Sequence, residues 1–211
     1  MAIFIDGSNL YHALEENCQR MDLNFEAFTQ KLAQGRPLYR IYYYNIRQDE
    51  KRRPREHKEQ ERFLNALYKV PYLEARLGHT REHQGVTVEK GVDVMLATDL
   101  LNLAWMDMYD TAVLVSGDGD FTYAVQMTKN LGKYVEVACF ATNQSPELAQ
   151  VADQVHFLDK DYFNELWTTA PVSPEVKRRK RRPSRRRKSG GAVGAAGGDA
   201  SPVAEDAPDN Y

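Results

Sequence analysis

Cysteine is scarce in this sequence: there are two, Cys18 and Cys139, in 211 residues. One falls in a predicted helix and the other in a predicted strand. That spacing excludes a disulfide framework and a thiolate zinc site, and it points to a reduced, intracellular setting. Long apolar runs are also missing. No stretch reaches the length that crosses a bilayer, so no membrane association is expected. The opening segment MAIFIDGSN has neither a basic region nor an extended apolar run, so it does not read as a signal peptide. These absences lead to a cytoplasmic expectation. Internal repeats are lacking too.

Net charge is small, at −2, but it averages over unlike parts. Residues 177–188, KRRKRRPSRRRK, hold ten Lys or Arg, and four acids follow them (Asp199, Glu205, Asp206, Asp209). Residues 1–176 are left with 18 bases and 26 acids, a net of −8. An acidic globular part is therefore followed by a strongly basic tail. Hydrophobic residues make up 42%, enough for one ordinary core. We expect one domain over residues 1–168 and a disordered tail over 169–211. After Pro171 the chain passes through Pro, Ser, Lys and Arg to Gly, Ala and acids, too apolar-poor to offset its ordering entropy.

Strand and helix signals alternate through the domain. AIFID is an apolar run ending at Asp6 and reads as a buried strand. Gly7-Ser8-Asn9 forms a turn that can open the helix LYHALEENC. PLYRIYYYNI reads as a second strand, and the charged stretch after it leans helical as far as Val70. LEARLGHTREHQGVTVEKG reads as an extended pair around a polar turn. Residues 91–108 are apolar at helical spacing; TAVLV is another buried strand; FTYAVQMTKNLG is a helix with Gly132 as its C-cap; YVEVACF is a strand. Residues 145–167 read as mostly helical, with HFL a short strand. Such alternation argues for a parallel sheet covered on both faces. Functional groups in these folds gather beyond the carboxyl ends of the strands, where Asp6 and Asp118 both lie.

Three segments carry candidate chemistry: FIDGSNL, KGVDVMLATDLL and SGDGDF. Carboxylates at strand ends are hard oxygen ligands, suited to Mg²⁺ or Mn²⁺. A bound cation removes the repulsion between them and can polarise a phosphate. Each residue also has a plainer reading. Asp-Gly is an ordinary turn former, and Asp120 can be a cap for the next helix. Asp93 and Asp99 lie six residues apart on one helix, and so point about 120° apart. Asp93 starts the helix and is the stronger site candidate, whereas a salt bridge or solvated face is the alternative for Asp99. Lys90 contacts phosphate, pairs with an aspartate or is a surface lysine.

Together these segments resemble the NYN domain, a PIN-like nuclease family, and especially its LabA-like bacterial branch. The D-x-S-N turn is matched by Asp6, Ser8 and Asn9. The K-x-V-D helix with a later Asp is matched by Lys90, Val92, Asp93 and Asp99. The S-G-D-x-D-F strand end is matched by Ser116 to Phe121. The likeness covers residues 1–167. It implies a Rossmann-like three-layer α/β/α sandwich with a mostly parallel sheet, and Mg²⁺- or Mn²⁺-dependent hydrolysis of RNA. It further implies that Asp6, Asp93, Asp118 and Asp120 hold metal or position water, while Asn9 and Ser116 orient ligands or substrate phosphate through hydrogen bonds.

RNA is the expected partner, and a homodimer is left open. The basic run can neutralise phosphates near a domain that otherwise repels them, or act as a nuclear address. The segment 48–62 has nearly balanced charge and reads as a solvated face. Tyr42 to Tyr44 read as core, with base stacking as the alternative. Two functions compete with catalysis on RNA. One is a regulator that binds RNA or nucleotide in the same pocket without turnover. The other is a small-molecule phosphohydrolase, disfavoured because Ser8 stands where an aspartyl-phosphate enzyme needs a second Asp.

Overall fold

The computed structural model describes residues 1–83 and 86–169, with the side chains of 80–90 outside that description. The chain alternates as expected. Strand β1 (Ala2–Asp6) runs directly into helix α1 (Gly7–Cys18), then α2 (Phe25–Ala33) and β2 (Arg40–Ile46) follow. Next come α3 (Pro54–Leu67), β3 (Leu73–His83), β4 (Val86–Lys90) and α4 (Val92–Trp105). Strand β5 (Thr111–Val115) leads through a 3₁₀ turn (Gly119–Phe121) into α5 (Thr122–Asn130). Strand β6 (Tyr134–Phe140), α6 (Pro146–Val151) and β7 (Gln154–Leu158) close the domain.

Among the described residues the sheet has seven strands in the order β4-β3-β2-β1-β5-β6-β7. All neighbouring pairs are parallel except β3 and β4, the extended pair read from the sequence. Helices cover both faces. Ile3 and Ile5 of β1 point into one core with Leu10, Leu14, Phe28 and Phe163, and Ala2 and Phe4 into another with Leu96, Leu100 and Val125. That two-sided burial explains why β1 is a continuous apolar run rather than an alternating one. The tyrosines of β2 follow the same alternation, Tyr43 to one core and Tyr42 and Tyr44 to the other, so they are core and offer no face for bases.

The chain leaves β1 toward β2 and β3 on one side and later returns to β5, β6 and β7 on the other. The crevice between β1 and β5 is thus a topological switch point, where such sheets bind ligands. Gly7 allows the abrupt passage from β1 to α1. A Cβ there would lie 2.4 Å from the Tyr43 ring and 2.6 Å from the Tyr44 carbonyl oxygen. Gly132 ends α5 as expected, at φ +80° with its N–H donating to the Lys129 carbonyl.

Two segments differ from the sequence reading. Residues 25–33, left unassigned there, form α2, capped by the Asn24 side chain, which accepts from the Ala27 N–H at 3.1 Å. Residues 145–167 are less helical than expected. Ser145 and Pro146 start α6, but it is six residues long, and Gln154–Leu158 then pairs in parallel with β6. An unpaired β6 edge outweighs the local helical pattern there. The expected disordered tail from residue 170 on, with its basic run, lies outside the described residues.

Candidate active site at the β1–β5 crevice

Asp6 ends β1 and also caps α1. Its Oδ1 accepts the Asn9 N–H at 3.0 Å, and its Oδ2 accepts the Ser116 hydroxyl at 3.1 Å. The carboxylate is 4% exposed. Burial raises its pKa above 3.8; the two hydrogen bonds oppose this, and the charges of Asp93 and Asp118 add to the rise. A cation among these three acids would reverse that penalty.

A pocket of about 280 Å³ opens above Asp6. Asp93 and Asp118 line it with Asp6, and Ser8, Asn9 and His12 form its α1 wall. Asp93 sits in the first turn of α4, and Asp118 caps the 3₁₀ turn by accepting the Asp120 N–H at 3.0 Å. The capping side chain is Asp118, and the Asp120 carboxylate is exposed and does not line the pocket.

Ser116 and Asn9 both brace the protein, and of the two Asn9 also lines the pocket. Ser116 is 1% exposed; its hydroxyl donates to Asp6 and accepts the Asp118 N–H at 3.2 Å. It is a brace between two carboxylates, because a hydroxyl directly after a buried strand has no path to solvent. Asn9 Oδ1 accepts from the Gly117 N–H at 3.1 Å and from Asn143 Nδ2 at 2.8 Å, tying three strand-end loops together. Sequence reading missed Asn143, whose Oδ1 is buried without a protein partner. It also missed His12. Helical spacing from Ser8 carries a signal for His12, since residues four apart share a face; nothing local marks Asn143. The Lys90 side chain lies outside the described residues.

Asp99 takes its alternative role. It forms an ion pair with Arg76 of β3, and its Oδ2 accepts the Tyr44 hydroxyl at 2.8 Å. Burial and the Asp99 charge push the Tyr44 phenol well above its usual range. The group fastens α4 to β2 and β3. Asp99→Asn is expected to cost about 1–3 kcal/mol, because it leaves a half-buried guanidinium poorly paired. Urea denaturation would read that loss, and Mn²⁺ affinity should change little; a selective loss of Mn²⁺ binding would return Asp99 to the site.

As the side chains lie, no three His, Cys, Asp or Glu among the described residues converge closely enough to hold an ion. Asp93 is exposed and Asp118 half-buried, and both line the pocket with Asp6. The donor set is hard oxygen, which fits Mg²⁺ or Mn²⁺.

Comparison with known proteins settles the family. The NYN domain model matches residues 1–159. The chain belongs to the NYN domain family. NYN proteins are generally nuclease-like and typically use divalent metals. The chain is 25% identical over 189 residues to the Low amplitude and bright protein LabA of Synechococcus elongatus, covering 82% of this chain and 94% of LabA. It is 36% identical over 98 residues to the uncharacterized protein y4oD of Sinorhizobium fredii, covering 45% of this chain and 44% of that relative. A crystal structure of a Vibrio parahaemolyticus protein of unknown function superposes with TM-score 0.63 at 25% identity, covering 76% of this chain and 93% of that one. No helix among the described residues is long and apolar enough to cross a membrane.

Proposed function

We propose that this NYN protein is a metal-dependent ribonuclease acting at the β1–β5 crevice. The observation that carries the reading is the pocket itself: Asp6, Asp93 and Asp118 share it at the carboxyl edge of the sheet. When bound, Mg²⁺ or Mn²⁺ supplies polarisation of the phosphate and acidification of a water. Asp6, Asp93 and Asp118 would hold it. Asp6 offers a fixed oxygen, because Ser116 and the Asn9 N–H restrain both of its atoms. Asp93 and Asp118 supply further oxygens from the pocket wall. The family motif gives Asp120, exposed in the 3₁₀ turn beside Asp118, the role of holding metal or positioning water. Asn9 and Ser116 hold the loops and carboxylates in register, as outer partners of a metal site do. The basic run 177–188 contributes phosphate contacts that the acidic domain lacks.

Incubating the purified chain with single-stranded and structured RNA plus Mg²⁺ or Mn²⁺ tests this. Asp118→Asn keeps the oxygen that accepts the Asp120 N–H, so the turn should survive. Cleavage should fall by about 10²–10⁴-fold, the scale of losing one catalytic group. Equal cleavage by both proteins would expose a contaminant and sink the assignment. Tight RNA binding without turnover under either metal would favour the regulatory reading of the same pocket.

A further inference from the structure

Helix α4 is unusual for a helix on the outside of a domain. Its sequence, VDVMLATDLLNLAW, has two charges, and both are used: Asp93 on the pocket and Asp99 against Arg76. One side of α4 buries Val92, Leu96, Leu100 and Ala104 on the sheet. The opposite side carries Val94, Thr98, Leu101 and Trp105 at spacings of four, three and four, with no charge among them. Val94 is 70% exposed and Trp105 77%. A helix with uncharged stripes on two opposite sides needs cover on both, and the sheet supplies one.

We propose that this outer stripe of α4 is the interface of a homodimer, in which two copies of the helix pack antiparallel across a two-fold axis. The stripe is self-complementary in that arrangement. A two-fold between positions 99 and 100 sets Val94 against the partner's Trp105, and Thr98 against the partner's Leu101. Each large side chain meets a smaller one, and each contact occurs twice, as an isologous interface requires. Four positions at this spacing form the seam along which helices interdigitate.

Area supports a second copy. Trp105 and Tyr123, which is 73% exposed at the first turn of neighbouring α5, bring about 150–200 Å² each by the usual size of aromatic side chains. With Val94, Leu101 and Met106, the apolar surface exposed along α4 and the start of α5 is roughly 500 Å² per copy, so a pair that covers it reaches the ~1,000 Å² that a specific interface must clear. Other occupants fit less well. Nucleic acid needs cations, and the stripe has none. The chain's own residues 171–211 are basic, then Gly- and Ala-rich, and Tyr211 is their one large apolar side chain. The inference does not rest on the ribonuclease reading.

Sedimentation equilibrium of the full chain, across about 1–200 µM, tests it. A dimer is expected for the wild type. Trp105→Lys and Val94→Glu should each weaken it by at least ~100-fold, with unchanged circular dichroism, since each buries two unpaired charges at the seam. Combining both changes in one chain should restore the dimer, because each contact then becomes a Glu–Lys pair. A wild type that stays monomeric throughout would overturn the proposal. So would a dimer indifferent to both single changes. Failure of the double variant to recover would overturn the antiparallel register.

Discussion

Asp6→Asn is expected to abolish metal-dependent RNA cleavage while raising the melting temperature of the metal-free protein at neutral pH. The two effects share one cause. Asp6 is a buried carboxylate within electrostatic reach of Asp93 and Asp118. Asparagine keeps the oxygen that caps α1, and Asn and Asp are equally good caps. It discards the charge that burial and two like neighbours penalise. Relief of one such functional strain typically returns about 0.5–2 kcal/mol. For a domain of this size that is a rise of roughly 1–8 °C.

The pH dependence has a definite sign. The folded-state pKa of Asp6 lies above its unfolded value, so the folded protein prefers the protonated form. The stability this group contributes is fully present below the unfolded pKa and is lost as pH rises through the folded one. Wild type and Asp6→Asn should therefore melt alike near pH 3.5 and diverge toward pH 7. Saturating Mn²⁺ should reverse the order, because a ligand at a hundred times its dissociation constant stabilises by about 2.7 kcal/mol and the variant forgoes most of that. Differential scanning fluorimetry over pH, with and without Mn²⁺, reads both effects. A variant less stable than wild type at neutral pH would show that the carboxylate is retained for structure.

Gly117→Ala should be the most damaging single methyl in the site. A Cβ at Gly117 would stand 2.1 Å from the Asn143 carbonyl oxygen and 2.8 Å from its carbonyl carbon. That obstacle is backbone and cannot rotate away. The Gly117 peptide is also held on both sides: its N–H donates to Asn9 Oδ1 at 3.1 Å, and its carbonyl accepts the Ser145 N–H at 2.9 Å. Making room separates the β5 loop from the β6 loop and releases Asn9 from both. The cost should reach about 3 kcal/mol, the upper end for overpacking, or roughly 6–12 °C in melting temperature. Mn²⁺ affinity should fall with it, since Ser116 and Asp118 flank the displaced residue. Gly119→Ala is the internal control. Its nearest neighbours are Ser145 Oγ at 2.8 Å and Cβ at 3.2 Å, side-chain atoms whose displacement costs at most the α6 cap. It should lose less than about 1 kcal/mol. Equal damage from both substitutions would argue against the close backbone approach as the reason for glycine in S-G-D.

The sequence by itself determined the frame of this protein. Two-sided burial makes β1 and β5 continuous apolar runs, so both strands and their acidic ends are legible without coordinates. Order and spacing of the three motifs determined the family. Helix phase alone separated Asp93 from Asp99, because six residues turn a helix well away from its starting face. What the phase lacked was the identity of each neighbour. Asp99 is claimed by Tyr44, 55 positions away, and Asn9 by Asn143, 134 positions away. Periodicity states which side of an element a residue takes, never what stands opposite it. For the same reason the sequence marks Ser116 as a ligand contact although the strand end encloses it, and marks only His156–Leu158 as strand although the β6 edge also pairs Gln154 and Val155. Only the tertiary structure decided which carboxylates share a pocket, because that depends on strand order, and strand order is set by packing between segments that have no local correlation in sequence.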